Sequence, residues 1–391
     1  MDHVEVVAKP EYHRPAWVVI AMTGAPTALV LIVLLTQDVR AWFFSGPNLR
    51  VAYLLLFSFG TAYLATPIAG VIAQWTGVMD YPAQRKMHQA PTPLLGGLAI
   101  YTAFAMTIFV NNLYTVELKS VAIAATLVFC IGLLDDIRPL SAWSRLGVQL
   151  LGVGIMIGYG VRVSFMPPSW WGDTLEVVFT VIWVIGITNA INLIDGLDGL
   201  ASGSVMINAA FFSLIAVQTS QPYMRFLSIA LAGSCLGFLP YNLRPRRPAS
   251  IFLGDGGSNF IGFTIAALGV LGDWGTNSSV DLITPILILG VPIFDMTLTT
   301  ILRIKDGRVR SLSQWLHCTG KDHFHHRLVE IGLSPRLAVF TIFLISVTLG
   351  ISAAVLRRAE GIDALLLLGQ AILMFSMIGY FMVFVKQQYR L

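Results

Sequence analysis

The chain has 391 residues, 56% of them hydrophobic and 12% charged, with a net charge of +4 and a mean hydropathy of +0.75. A soluble domain carries about a quarter of its residues as charges, so this composition excludes one and points to a chain that crosses a membrane many times. The basic balance, with a pI near 9.0, does not indicate nucleic acid as a partner: no Gly-rich phosphate loop and no basic–aromatic platform accompanies it, and in such a chain Lys and Arg report topology and anionic phosphates.

Twelve apolar segments predict membrane-spanning helices, near 17–36, 51–74, 95–112, 119–134, 144–163, 175–194, 199–218, 225–241, 258–272, 281–302, 336–356 and 363–385. Most approach the ~20 residues that a bilayer requires and some are shorter. The expected fold class is therefore an all-α polytopic membrane protein with about 11–12 transmembrane helices. No charge-rich linker divides them, so 1–391 reads as a single integral membrane domain. Asp2, Glu5 and Glu11 precede the first apolar run and no small-residue cleavage site follows it, so the first helix is expected to remain in place. Cys130 and Cys235 lie in apolar runs and Cys318 in a polar loop, a pattern without a disulfide framework.

Placing the N-terminus in the cytoplasm puts eighteen of the 25 Lys and Arg residues on one side and seven on the other. The positive-inside rule then sets both termini in the cytoplasm. All of the polar motifs fall on that same side. A transporter would bury its polar groups near the midplane between repeats. Polar groups collected at one face favour an enzyme that joins a lipid head group to a cytosolic co-substrate.

Taken in chain order, Lys86 and His88 precede Pro91-Thr92-Pro93 and Gly96-Gly97, a rigid turn that would deliver cations to this face. Asp135 and Asp136 end an apolar span, where the helix dipole disfavours anions. They require a cation or a proton, so a Mg²⁺ site or a base toward a phosphate nucleophile outweighs an ordinary polar helix end. In Asn189–Gly203, two Asn and two Asp follow at intervals of three: Asn189, Asn192, Asp195 and Asp198. Each step of three turns a helix by about −60°, so neighbours share a face while the last lies about half a turn from the first. Gly196 and Gly199 are expected to let the backbone leave the helix near Asp195 and fan the carboxylates around a point. Polar groups at such an edge are costly to bury, which makes the run a functional-site hypothesis by default.

Further on, Arg244, Arg246 and Arg247 are explained by topology first and by phosphate contact second. Phe252-Leu253-Gly254-Asp255-Gly256-Gly257-Ser258 precedes another span. It reads either as a glycine turn with an N-capping Asp or, beside the Asn/Asp run, as a metal site bridging phosphates. Asp295 sits within an apolar span, open to a structural pairing or to a place in the site. His323, His325 and His326, with Lys321 and Arg327, form the densest basic cluster. With His317 and Cys318 they match no standard zinc spacing. An anion-binding site for a diphosphate or sugar is favoured over a loop cap.

Together these motifs resemble the polyprenyl-phosphate N-acetylhexosamine-1-phosphate transferase family. They stand in order as RKMHQAPTPLLGG, DD, NAINLIDGLDGL, FLGDGGS and HFHHRL, from about residue 50 to about residue 335. Residues 1–45 then form an extra N-terminal helix and 46–391 the phosphosugar transferase core, with catalytic loops on the cytoplasmic face of a bacterial inner membrane. The RK-x-H-x-x-PTP and H-x-H-H-R-L forms resemble the branch that moves GlcNAc-1-phosphate onto undecaprenyl phosphate, rather than the phospho-MurNAc-pentapeptide branch. The resemblance implies catalytic roles for Asp135, Asp136, Asp195 and Asp198, the first two beside the lipid phosphate. It implies Mg²⁺, with Mn²⁺ as a substitute, on Asp255 and Asn192. Asp198, Asn189 and Phe252 would bind the nucleotide, Phe252 by stacking on uracil. Lys86, His88, His323, His325, His326 and Arg327 would hold phosphate or sugar. Expected partners are a UDP-sugar, undecaprenyl phosphate and membrane lipid, with a homodimer an open role for the extra helix. The segment Gly307–Gly320 differs from the serine–proline-rich approach common in the family, which leaves the donor sugar the least determined feature. A transporter or lipid-binding protein is the competing class.

Overall fold

The computed structural model describes residues 16–82, 90–275, 278–317, 320, 322–356 and 361–388. Its elements are α1 (Ala16–Leu35), α2 (Gln37–Phe44), α3 (Pro47–Thr76), β1 (Met79–Asp80), β2 (Thr92–Pro93), α4 (Gly96–Val110), α5 (Val116–Ile137), α6 (Ala142–Gly158), α7 (Trp170–Ile194), α8 (Leu200–Gln218), α9 (Pro222–Asn242), α10 (Gly254–Leu271), α11 (Ser278–Ile288), α12 (Gly290–Lys305), α13 (Leu312–His317), α14 (Phe324–Glu330), α15 (Pro335–Leu356) and α16 (Gly361–Gln388). Every apolar segment expected from the sequence is helical. Among the described residues seven helices are long and apolar enough to cross a bilayer, or up to nine with each bent pair taken as one span. Of the other expected spans, α4 and α6 are shorter, about 22–26 Å by helical rise against a hydrocarbon layer of ~30 Å.

Local chemistry explains where several spans begin and break. Thr115, Ser141 and Ser169 accept hydrogen bonds from the backbone N–H groups of Leu118, Ser144 and Gly172, capping α5, α6 and α7. The segment expected as one span over 281–302 is two helices, α11 and α12, bent by 76°. Pro292 lies just past the break; it has no N–H to donate to the carbonyl of Ile288, and its ring crowds that carbonyl. A second bend, of 71°, separates α1 from α2.

The bundle is built around α10. From Gly256 to Val270 every residue of this helix is buried, and it packs against α4, α5, α7, α8 and α9. Its sequence, GDGGSNFIGFTIAALGVL, is rich in small residues, which lets neighbouring backbones approach closely, as membrane helix packing requires. The tightest approach is at Gly97, where a Cβ would overlap the backbone of Gly257. Outward faces of α15 and α16 carry exposed Leu344, Ile351, Val355, Leu365, Leu366 and Leu373, an apolar surface suited to lipid.

The PTPLLGG segment joins this centre through backbone pairing. Strands β1 and β2 pair antiparallel, Met79 opposite Pro93 and Asp80 opposite Thr92. Phe252 N–H then donates to Pro93 O at 2.8 Å, Gly96 N–H to Phe252 O at 2.9 Å and Gly97 N–H to Leu253 O at 2.8 Å. The start of α4 and the start of α10 are thus stitched together.

Gly97→Ala places a methyl group in the Gly257 backbone, where nothing flexible can yield. It is expected to cost about 1–3 kcal/mol and to lower the thermal midpoint of the detergent-solubilised protein. Gly147→Ala, whose added Cβ meets nothing within 4 Å, is expected to leave that midpoint unchanged or raised.

Candidate active site

The acids of the sequence meet where α5 and α7 end and α10 begins. Asp136, in the last turn of α5, accepts hydrogen bonds from the backbone N–H groups of Asp255 (2.7 Å) and Gly256 (2.9 Å). A carboxylate that its own helix terminus disfavours is therefore received by the positive end of another helix. Gly254 makes the approach possible: its φ is +76°, and a Cβ there would crowd the Asp136 carboxylate and Leu94 O. Asp135 turns the other way, accepting from Leu140 N–H at 2.6 Å and from Arg145 Nη1 at 2.9 Å. Arg145 also lies 3.8 Å from Asp255, so one guanidinium stands between two acids.

Asp255 is held from the side of α7. Asn192 Nδ2 donates to Asp255 Oδ1 and to Ser258 Oγ, both at 2.8 Å. The Asp255 carboxylate also abuts that of Asp135. Behind this pair runs a chain of amides inside the bundle. Asn189 Nδ2 donates to Gln149 Oε1 (2.8 Å), Gln149 Nε2 to Asn259 Oδ1 (3.1 Å), and Asn259 Nδ2 to Asp255 O (2.8 Å). The amide nitrogen of Asn189, expected at the nucleotide, is committed to Gln149 and to Ile185 O at 2.8 Å.

The Asn/Asp run leaves its helix where the glycines allow it. Helix α7 stops at Ile194, Asp195 is its C-cap, and Gly199, at φ +77°, opens α8. Asp198 Oδ2 accepts from Ala249 N–H at 2.9 Å, tying the turn to the RPRRPAS loop. Asn242 bridges the same two segments, accepting from Gly199 N–H (2.7 Å) and donating to Ile251 O (2.9 Å). Asp195 is half-buried, and its carboxylate has no hydrogen-bond partner among the described residues. Burial, followed by the charges of Asp255, Asp136 and Asp198, pushes the Asp195 carboxyl well above the usual carboxylate range.

On the opposite flank lies α14. His325 is 1% exposed, and its imidazole occupies the space a Cβ at Gly196 would need. Neither of its ring nitrogens has a hydrogen-bond partner among the described residues. Burial first, then the neighbouring His326, pushes it down to about 3, so the ring is neutral at physiological pH. His326 is half-buried, its ring centroid 4.1 Å from that of His325. His323 and Arg327 are buried and bonded within the loop: His323 to Asp295 at 3.0 Å, Arg327 Nε to Asp322 O at 2.7 Å. Phe252 is half-buried next to Gly96. Lys86, His88, Cys318 and Lys321 lie outside the described residues.

Thus Asp135, Asp136, Asn192, Asp195, Asp198, Asp255, Phe252 and His325 belong to one linked set of loops. The sequence reading missed Arg145, counted there only for topology, and Gln149 and Asn259. A signal was present: Gln149 and Asn259 are uncharged polar residues inside apolar spans, and Arg145 stands one helical turn before Gln149.

Helices with apolar outer faces around an acidic cluster at one end define a multi-pass membrane protein. Comparison with known proteins narrows this. The profile of glycosyl transferase family 4 matches residues 118–273, the stretch holding Asp135 through Asp255. The chain is 38% identical over 318 residues to a probable undecaprenyl-phosphate N-acetylglucosaminyl 1-phosphate transferase of Bacillus subtilis, covering 80% of this chain and 86% of that one. It is 32% identical to a decaprenyl-phosphate N-acetylglucosaminephosphotransferase of Mycobacterium leprae, over 72% and 77% of the two chains. It is 27% identical to the undecaprenyl-phosphate alpha-N-acetylglucosaminyl 1-phosphate transferase of Escherichia coli K12, over 83% and 88%. The chain belongs to glycosyl transferase family 4, in keeping with the resemblance read from its motifs.

The raised carboxyl of Asp195 gives a pH signature. Below the unfolded-state pKa of about 3.9 both states are protonated and the folded state bears no penalty. As the pH rises from there, the unfolded chain ionises first and stability falls until the folded pKa is passed. Asp195→Asn removes the penalty. In chelator it is expected to melt above the wild type at about pH 7, with the difference vanishing toward about pH 4; a pH-independent difference in thermal scans would contradict this.

Proposed function

We propose that the protein transfers GlcNAc-1-phosphate from UDP-GlcNAc to undecaprenyl phosphate, releasing UMP, as the first step of a lipid-linked cell-envelope glycan. The observation that carries the reading is the meeting of Asp135, Asp136, Asn192, Asp195 and Asp255 with Arg145 at one end of an apolar bundle. The names of the similar proteins support the acceptor and the sugar. The excess of Lys and Arg in the loops at this end supports a cytoplasmic active site in the inner membrane.

In the reaction a lipid phosphate oxygen attacks the β-phosphorus of the UDP-sugar and the bond to UMP breaks. The sugar–oxygen bond survives, so no carboxylate pair at the anomeric carbon is called for. Two anions must approach one another, and neutralising them is the main demand on the site. The donor set here is oxygen: Asp255, Asp195, Ser258 and the Asn192 carbonyl, whose amide nitrogen already donates to Asp255. Hard oxygen ligands, with Asp135 and Asp255 sharing the guanidinium of Arg145 among the described residues, fit a divalent cation. Mg²⁺ is bound through one or two carboxylates together with waters and substrate phosphate oxygens, which is within the reach of such a set. Asp255 and Asn192 would hold Mg²⁺, or Mn²⁺ in its place, and the ion would supply charge neutralisation at the transferring phosphorus.

The protein's own groups do the rest. Asp136 holds the start of α10 in place and Asp135 orients Arg145, so both position charge near the acceptor. Asp198 fixes the turn that lines the nucleotide, Phe252 stacks on uracil, and neutral His325 offers ring nitrogens to the diphosphate or sugar.

Purified protein with labelled UDP-GlcNAc, Mg²⁺ and undecaprenyl phosphate is expected to yield labelled lipid and UMP. Uptake of label into vesicles without UMP release would favour a transporter. Asp255→Ala is expected to abolish turnover at every Mg²⁺ concentration. Phe252→Ala is expected to raise the KM for the UDP-sugar by about tenfold or more, from a stacking loss of ~1–3 kcal/mol; an unchanged KM would remove Phe252 from the nucleotide site.

A further inference from the structure

Asp295 is 1% exposed on α12, and its carboxylate is fully engaged. It accepts from Phe324 N–H, the first residue of α14, from His323 Nδ1 at 3.0 Å and from Thr299 Oγ1 at 3.4 Å. On the other edge of the His323 ring, Nε2 faces Arg303 Nη2 at 3.4 Å. A guanidinium can only donate, so Nε2 carries the lone pair and the proton sits on Nδ1, facing Asp295. Arg303, 4% exposed, grips Asp322 as a fork: Nε to Oδ2 at 2.9 Å and Nη2 to Oδ1 at 2.6 Å. Despite the upward push of burial, these bonds hold the Asp322 carboxyl down at about 2. Asp295, His323, Arg303 and Asp322 thus follow one another in one row, the first three buried and Arg308 3.7 Å from Asp322 at its outer end.

Such a row is a poor source of stability, because desolvation offsets most of the attraction. It does impose one geometry, since the planar fork on Asp322 and the His323 ring on Asp295 fix one another's orientation. The geometry concerns the residue next along the chain. His325, with both ring nitrogens unspent, lies against Gly196 in the Asp195–Asp198 turn, while His323 has both of its own committed.

We propose that Asp295, Arg303, Asp322 and His323 are positioning residues: a clamp between α12 and α14 that presents His325, the next histidine along the chain, to the sugar-nucleotide donor. The proposal rests on the donor site proposed above. It settles Asp295 as a structural partner that acts on the reaction through His325.

The test is a double-mutant cycle in turnover, with Asp295→Asn, His325→Ala and the double variant. Asp295→Asn keeps the size and the acceptor for Phe324 N–H but turns an N–H donor toward His323, which reverses the tautomer and sets its Nε2–H against Arg303. Displacing His325 by about 1 Å is expected to lower kcat/KM for the UDP-sugar by about 10²-fold, with the KM for lipid phosphate unchanged. In the His325→Ala background the same change is expected to have no further effect, within about twofold. Losses that multiply, or wild-type kcat/KM in Asp295→Asn, would overturn the clamp. Should Asp295→Asn fail to fold, Arg303→Lys, which keeps the charge and loses the fork, takes its place in the cycle. Hydrogen exchange of the purified protein reads the clamp without any donor: amides of Phe324–Glu330 are expected to exchange faster in Asp295→Asn while those of α5 and α10 do not, and unchanged exchange would also overturn it. A wild type inactive with UDP-GlcNAc but clamped by this measure would fault the donor assignment, not the clamp.

Discussion

Two backbone N–H groups at the start of α10 received by the carboxylate of Asp136 are the contact on which the site depends. The last turn of α5 presents carbonyl oxygens and repels anions, whereas the first turn of α10 presents unpaired N–H groups and attracts them. Setting one against the other satisfies both ends. The match also places Asp255 beside Asn192 and leaves Asp135 to hold Arg145. It can form because glycines stand at the closest approaches: Gly97 against Gly257, Gly132 against the Asp255 backbone, and Gly254 at positive φ.

The site divides into two flanks with opposite electrostatics. On one, among the described residues, Asp135 and Asp255 share the guanidinium of Arg145 and Asp195 has no hydrogen bond to support its charge. Crowding and burial of these acids cost stability, the usual condition of a site selected for chemistry rather than for stability. On the other flank, Asp295, His323, Arg303 and Asp322 are each hydrogen-bonded to the next, and together they hold the start of α14. Between the flanks sits a neutral imidazole, able to donate at one nitrogen and accept at the other without adding charge to a crowded field.

Behind both flanks, the amides of Gln149, Asn189 and Asn259 join α6, α7 and α10 within an apolar bundle. In hydrocarbon an unpaired amide is expensive, so each finds its partner on a neighbouring helix. The chain ends on the Asp255 carbonyl, so helix packing and site geometry are coupled by hydrogen bonds as well as by small residues.

The sequence by itself determined the class of fold and the place of the site. Apolar segments of bilayer length can only be helices, because lipid offers no partner for backbone polar groups. The Asn and Asp residues at the edges of those segments could not be idle. The glycine break after Asp195 was also legible, since only glycine relaxes the backbone at positions such as Gly199. Tertiary structure decided which atoms remain free. Sequence grouped His323, His325 and His326 alike, yet burial on α12 consumes both nitrogens of His323 and leaves those of His325. It left Asp135 and Asp136 alike, as a Mg²⁺ site or a base; the fold turns the oxygens of Asp136 to the start of α10 and those of Asp135 to Leu140 and Arg145. It left Asp295 open, and the fold pairs it with a residue 28 positions away. Periodicity reports which face of a helix a residue occupies; a hydrogen bond depends on what another, distant segment places opposite that face, and only packing supplies that.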